Sequence, residues 1–157
     1  MITTEFTPIT VSRANPNDLI GIEEIEALSF SDPWDRKAIS SYICSEDGMC
    51  FVAKRGTVTL AYLIGRLIAP EGEIYRIATR EDRRRRGIAY RLLSYAHKTE
   101  RGRGLESLFL EVREKNIPAR SLYESYGFRS VGKRKNYYRD PVDDAVIMLL
   151  TREEDLV

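Results

Sequence analysis

The segment Arg84-Arg85-Arg86-Gly87-Ile88-Ala89 carries the sharpest chemistry in the chain. An apolar run precedes it and a helix-spaced run follows. Glycine at 87 lets the backbone approach a ligand closely. The first N–H groups of a helix lack intrahelical partners, and the macrodipole favours an anion there. The small side chain of Ala89 keeps the wall of such a site low. Together these features describe a pyrophosphate cradle. The spacing is neither the Gly-x4-Gly-Lys-Ser/Thr of a Walker A loop nor a dinucleotide Gly-x-Gly-x-x-Gly. An arginine run can equally be a solvated face. A nucleic-acid patch would need interleaved aromatics and a second basic half, and the chain has neither.

Other reactive side chains are few. His97 is the only histidine. It lies at the edge of an apolar helical stripe and reads as a boundary residue. A histidine-rich metal site is excluded, and no metal is expected. Cys44 and Cys50 are too few for a disulfide framework or a four-thiolate zinc site. They read as reduced thiols, which points to the cytoplasm.

The 157 residues are 43% hydrophobic and 31% charged, which fits a soluble globular chain. That length suits a single domain over 1–157, with residues 1–10 as a polar lead-in. Twenty-five basic and 24 acidic residues leave a net charge of +1, so no specific nucleic-acid partner is expected. No stretch approaches the ~18 apolar residues of a membrane span. The most apolar run, Thr59 to Pro70, is broken by Gly65 and Arg66. The first residues lack the basic start and apolar core of a signal peptide.

Periodicity places these residues on elements. Thr10 to Ala14 reads as a strand. Asn15-Pro16 starts a helix carrying Leu19, Ile22 and Ile25 to about Phe30. Ser31-Asp32-Pro33-Trp34 breaks it, and a second helix covers about Asp35 to Ser45. Strands follow at Met49 to Lys54, Val58 to Ile68 and Glu73 to Thr79. Ile88, Leu92 and Ala96 then mark a helix that ends at Arg101-Gly102. Leu105 to Arg113 alternates as a strand. Asn116 caps a helix bearing Ala119, Leu122, Tyr123 and Tyr126, which Gly127 stops. Phe128 to Lys133 and Asp144 to Leu150 form the last strands, around a polar and aromatic loop. The order βααβββαβαββ predicts a mixed α/β sheet, with parallel neighbours across the helix that follows Gly87.

Arg84, Gly87 and Ala89 fill the fixed positions of [Gln/Arg]-x-x-Gly-x-[Gly/Ala], which resembles motif A of the GCN5-related N-acetyltransferases (GNAT). Further matches are Phe30-Ser31-Asp32-Pro33-Trp34, Leu110-Glu111-Val112-Arg113, Asn116, Leu122-Tyr123-Glu124, Gly127-Phe128 and Arg134-Lys135-Asn136-Tyr137-Tyr138. Pro141, Asp144-Ala145 and Met148 complete the set. Over roughly residues 10–150 it resembles the RimI-like branch, the ribosomal-protein-alanine N-acetyltransferases. The resemblance implies a seven-stranded, mostly antiparallel sheet with two splayed parallel central strands and four flanking helices. It implies acetyl-CoA as co-substrate. The backbone of Ile77, Ala78 and Thr79 would bind the acetyl and pantetheine part. Arg85, Arg86, Gly87, Ile88, Ala89 and Tyr90 would surround the pyrophosphate, and Asn116 would add a contact. The implied acceptor is a protein N-terminus, a ribosomal protein in this branch, with the enzyme a monomer or weak dimer.

Acetyl transfer to an amine needs a base for the ammonium and a proton for the departing thiolate. An α-amine titrates at about 7.7–8.0 and lysine at about 10.4, so deprotonating lysine at neutral pH costs about 3–4 kcal/mol more. A carboxylate is therefore a more adequate base for an α-amine. Glu111 and Glu73 are the candidates. The RimI-like resemblance selects Glu111, whereas the histone-acetyltransferase branch places its base near Glu73. Tyr123 is the acid the resemblance implies, and its helix starts just after the Glu111 strand, so both can face one cleft. A core tyrosine is the alternative role. Trp34, Tyr137 and Tyr138 are read as loop aromatics that either wall a peptide groove or anchor packing. Other functions on the same residues are acetylation of lysine, a polyamine or another small amine, a non-catalytic acyl-CoA-binding module, and an RNA-binding arginine loop.

Overall fold

The protein is seen here as a computed structural model that describes residues 7–151. Strand β1 (Ile9–Arg13) leads through a 3-10 turn (Pro16–Asp18) into α1 (Leu19–Ser29) and α2 (Arg36–Cys44). Strands β2 (Gly48–Arg55), β3 (Val58–Ile68) and β4 (Glu71–Thr79) form a meander. Helix α3 (Ile88–Arg101), β5 (Ser107–Arg113) and α4 (Ile117–Tyr126) follow. Strands β6 (Arg129–Tyr138) and β7 (Asp143–Leu150) close the chain. This matches the expected order element for element. Several boundaries need correction: α1 begins at Leu19 after the 3-10 turn, β4 begins at Glu71 instead of Glu73, and β5 begins at Ser107 instead of Leu105. The lead-in ends earlier than residue 10, because Ile9 and Thr10 already belong to β1, and residues 1–6 lie outside the described residues. Strand β6 runs on to Tyr138 instead of stopping at Lys133. Its distal half is held by pairing with β7, although it carries no apolar alternation of its own.

The strands form one seven-stranded sheet in the order β1-β2-β3-β4-β5-β7-β6. Only β4 and β5 pair in parallel; the other neighbours are antiparallel. Period-two alternation divides the side chains between two cores. Phe51, Leu63, Leu108, Leu110 and Val112 face α3 and α4, where Ile88, Leu92, Leu93 and Tyr123 cover them. Val52, Tyr62 and Ile64 face the other way, under Ile22 and Ile25 of α1 and Ile39 of α2.

Local chemistry fixes the helix starts. Asn15 accepts from the Asn17 N–H at 2.8 Å, and its own N–H donates to Asp18 at 2.9 Å, a reciprocal cap. Asp35 caps α2 through the Ala38 N–H at 2.8 Å. The last turn of α3 is clamped by the fully buried Glu100, which binds Arg13 and, at 2.9 Å, Arg103. His97 is indeed a boundary residue: its Nδ1 meets the Tyr126 hydroxyl at 2.7 Å, and burial pushes its pKa down.

The feature that matters most lies between β4 and β5. They pair from Glu71 with Ser107 through Ile74 with Leu110, and the register ends there. Strand β4 continues to Thr79 along β3, while β5 continues to Arg113 along β7. The two strands therefore diverge. On the β3 side the register shifts at the same level: Gly65 pairs with Ile74 and Ile64 with Arg76, leaving Tyr75 as an extra residue. Such a bulge bends its strand and increases its twist. Gly65 permits it. A Cβ there would stand 2.3 Å from the Glu73 carbonyl oxygen and 2.8 Å from Met49 Cε.

Gly65→Ala should therefore push on the β4 backbone at the divergence itself. Overpacking of this kind costs about 1–3 kcal/mol. A thermal melt should show Tm lowered by several degrees. An unchanged Tm would mean that the bulge tolerates a methyl group and does not depend on the glycine.

Candidate active site

The opening begins where the β4–β5 pairing ends. Ile77, Ala78 and Thr79 line its β4 side. Ile77 leans on the α3 core and Ala78 on the α1–α2 core. Their peptide groups on the β5 side have no strand partner in the register. The chain then turns through Glu81–Arg83, with the Arg80 N–H on the Leu60 carbonyl at 2.8 Å and Arg84 Nε on the Thr79 carbonyl at 3.2 Å.

Arg85 and Gly87 both take positive φ, 64° and 75°. A Cβ on Gly87 would meet no atom within 4 Å. The glycine thus answers to the sign of φ, and the space in front of it is open. No side chain caps α3, while Ile88 is buried and anchors the helix start from behind. Arg85, Arg86 and Gly87 are exposed. Ala89 is half-buried, and Tyr90, 42% exposed, meets the Tyr126 ring edge-on at 5.3 Å. These residues fit a diphosphate: uncapped amides at a helix start, guanidinium groups around them, and no side chain in the way. Asn116 uses its side-chain oxygen to cap α4, accepting from the Ala119 N–H at 3.3 Å.

Two carboxylates stand on the α1–α2 face of the sheet beside the opening. Glu111 alternates with the inward Leu110 and Val112, so it points away from α3 and α4. It is mostly covered, at 16% side-chain exposure, and accepts from Arg134 Nε at 3.0 Å. The Tyr137 hydroxyl also donates to it. Glu73 lies on the neighbouring strand, where it pairs in register with Phe109. Burial and the charge of Glu111 raise its pKa, against the Tyr75 hydroxyl and Arg134, which lower it.

Tyr123 approaches from the other face. It is 5% exposed, packs edge-on against Phe128 at 5.7 Å, and belongs to the core that holds Leu110 and Val112. The two residues that were expected to face one cleft stand on different faces of the sheet. Alternation along β5 puts them on opposite faces, and only the strand opening connects the two sides. Burial pushes the Tyr123 pKa up, and nearby Tyr138 pushes it further. Tyr138 is itself raised to about 12 by burial and then by Glu111. Tyr138 therefore feels both groups. Its ring lies under Arg113, 4.5 Å from the guanidinium carbon, and Arg113 also holds the carbonyls of Pro141 and Arg139 at 2.7 and 3.0 Å.

The α1–α2 side has an anchor that sequence patterning did not single out. Glu26 of α1 is fully buried and binds the Tyr62 hydroxyl. It also accepts from the Trp34 N–H at 3.0 Å and lies 3.7 Å from Arg76 Nε. Arg76 stacks over Phe30 and Trp34 at 4.1 and 5.0 Å and donates to the Asp32 carbonyl at 3.0 Å. The Phe30–Trp34 loop is thereby fixed onto β4. Trp34 also stacks on Tyr42, with centroids 5.3 Å apart, and both rings meet Tyr75. A signal was available: Ile22, Ile25 and Glu26 share one helical stripe, so the carboxylate had to be buried and partnered. Arg134, quoted above only as part of a match, is the other residue whose contacts emerge here.

Comparison with known proteins agrees with this geometry. Residues 19–128 match the model of the acetyltransferase (GNAT) family. The [ribosomal protein bS18]-alanine N-acetyltransferase of Escherichia coli K12 is 33% identical over 143 residues, covering 90% of this chain and 96% of that protein. The N-alpha-acetyltransferase RimI of Mycobacterium tuberculosis is 33% identical over 153 residues, covering 94% and 95%. The crystal structure of the ribosomal-protein-S18-alanine N-acetyltransferase from Escherichia coli superposes with a TM-score of 0.85 at 32% identity, covering 92% of this chain and 94% of that one. With a family match over most of its length and a seven-stranded sheet of the expected kind, the chain belongs to the GNAT family of acetyltransferases.

Proposed function

We propose that the protein transfers the acetyl group of acetyl-CoA to the N-terminal α-amine of a protein, with an alanine-initiated ribosomal protein as acceptor. The observation that carries this reading is the placement of two carboxylates on one side of the strand opening and a buried, neutral tyrosine on the other. The choice of an α-amine over lysine rests on the relatives named for alanine acetylation and on the lower pKa of the α-amine. A ribosomal acceptor places the enzyme in the cytoplasm.

Acetyl-CoA supplies a thioester, whose C–S bond breaks as a C–N bond forms to the acceptor. In this reading the chain's residues do the rest. Those peptide groups of Ile77, Ala78 and Thr79 that face the opening hold the arm as a substitute strand would. Arg85, Arg86, Gly87, Ile88, Ala89 and Tyr90 hold the diphosphate, and Asn116 contributes its amide nitrogen. Glu111 takes the proton of the α-ammonium, directly or through water, with Glu73 adding negative potential. Trp34, Tyr137 and Tyr138 wall the acceptor groove. Tyr123 is protonated at pH 7, as its ordinary pKa already ensures and burial reinforces, and its O–H is the donor for the departing sulfur. The experiment that tests the whole reading is turnover on a peptide panel, with the acetyl group located by intact mass. Acetate found only on lysine side chains would overturn it.

Binding should depend on the loop backbone more than on any one arginine. Gly87→Glu places bulk and negative charge at the diphosphate and forces a side chain to φ 75°. Calorimetry should show CoA binding lost in this variant and weakened only modestly in Arg85→Ala. Equal affinity in Gly87→Glu and wild type would remove the cradle assignment.

Tyr123→Phe should keep the ring packing against Phe128 and lose only the donor. Loss of a general acid costs about 10²–10⁴-fold in rate. The expected pattern is a fall of that size in kcat with acetyl-CoA affinity nearly constant. Glu111→Gln should also lower kcat, but its defect should shrink as pH rises and more acceptor amine is already neutral. A Tyr123→Phe enzyme near wild-type kcat, folded by circular dichroism, would return Tyr123 to a packing role.

A further inference from the structure

Strand β6 carries a distortion that aims two side chains at one carboxylate. Arg134 pairs with Ala145, and pairing resumes at Tyr138 with Asp143, so four steps on β6 span two on β7. Within this bulge Asn136 has φ 52°, and its N–H donates to Asp144 Oδ1 at 2.8 Å. Asparagine is among the residues that tolerate a left-handed backbone best, and the Asp144 carboxylate holds it there. The extra residues bring Arg134 and Tyr137 together on Glu111. The Arg134 guanidinium also lies 5.9 Å from the Tyr137 ring centre, and its charge reaches Glu73.

The guanidinium thus sits where two carboxylates converge. In the reading given above, that is where the acceptor's α-ammonium must deliver its proton. Both cations need the same oxygen lone pairs. The two partners of the existing pair are held very differently. Glu111 is 16% exposed and paired with Ile147 of β7, whereas Arg134 is 57% exposed on an edge strand. Ion pairs with so exposed a partner are weak. The carboxylate stays and the arginine can swing into water.

We propose that Arg134 is a displaceable counter-ion: it occupies the ammonium position at Glu111 between turnovers and yields it to the acceptor's α-ammonium. The role rests on Glu111 being the group that meets that ammonium. Arg134 then acts as a specificity-determining residue. A cationic chain end can replace it without leaving Glu73 and Glu111 facing each other unneutralised, and an uncharged chain end cannot. Once the amine has become a neutral amide, the guanidinium returns and the product loses its hold.

The test uses the CoA-bound protein and two peptides. One begins with alanine; the other is identical except that lactate replaces the alanine, giving a hydroxyl for the ammonium. Calorimetry on wild type and Arg134→Gln measures both affinities. Removing the competitor should tighten the amine peptide by about two- to fivefold, the range of an exposed pair. The hydroxyl peptide should not gain. Arg134→Lys, which keeps a cation, should hold the wild-type ratio of the two affinities. An Arg134→Gln ratio equal to wild type, or shifted towards the hydroxyl peptide, would overturn the counter-ion role. A purely structural arginine would change both affinities alike and leave the ratio fixed. Failure of the wild type to acetylate the alanine peptide at its α-amine would instead overturn the underlying reading, and the counter-ion role with it.

Discussion

Everything around the candidate site follows from a hydrogen-bonding debt in the middle of the sheet. Strands β4 and β5 stop pairing after Ile74 and Leu110, yet both continue. Interior backbone amides and carbonyls need partners, and an edge inside a sheet is the least economical place to leave them bare. The divergence lies level with the bulge at Tyr75, which Gly65 admits on the β3 side. The start of α3, the carboxylates of β4 and β5, and Tyr123 are arranged around the gap that results.

The same opening explains how groups on opposite faces of a sheet can serve one reaction. Glu111 and Glu73 belong to the α1–α2 side and Tyr123 to the α3–α4 side. In a continuous sheet they would be separated by a layer of backbone. Separation has a consequence: Glu111 remains beside Arg134, while Tyr123 is held in an apolar core that raises its pKa. The Glu26–Arg76–Tyr62 network stiffens the α1–α2 side, because a buried carboxylate with three kinds of partner holds the Phe30–Trp34 loop in one place.

Local features were legible in the sequence and long-range ones were not. The glycine turn at Gly87 and the start of α3 could be read because their signals are contiguous. The helix boundaries at Asn15, Asp35, Asn116 and Gly127 could be read because caps are local chemistry. Strand β6 beyond Lys133 could not, since its hydrogen bonds come from β7 and its own residues show no alternation. Nor could the pairing of Glu111 with Arg134, which depends on a bulge and a left-handed asparagine that no spacing announces. The outward facing of Glu111 follows from the alternation along β5, whereas the face that Tyr123 covers is set by how α4 packs on the sheet.

Strand β6 is one of the two outer strands of the sheet and is exposed along nearly its whole length. An open edge of that kind is a template on which another chain can lay a strand, the first step of aggregation. Here the edge carries Arg129, Lys133, Arg134 and Lys135, and a bulge breaks its straight run before Tyr138. Like charges and a kink are the two devices that most discourage such growth. The distortion that delivers Arg134 to Glu111 therefore also keeps the sheet finite. Straightening β6 would endanger the protein's solubility together with its chemistry.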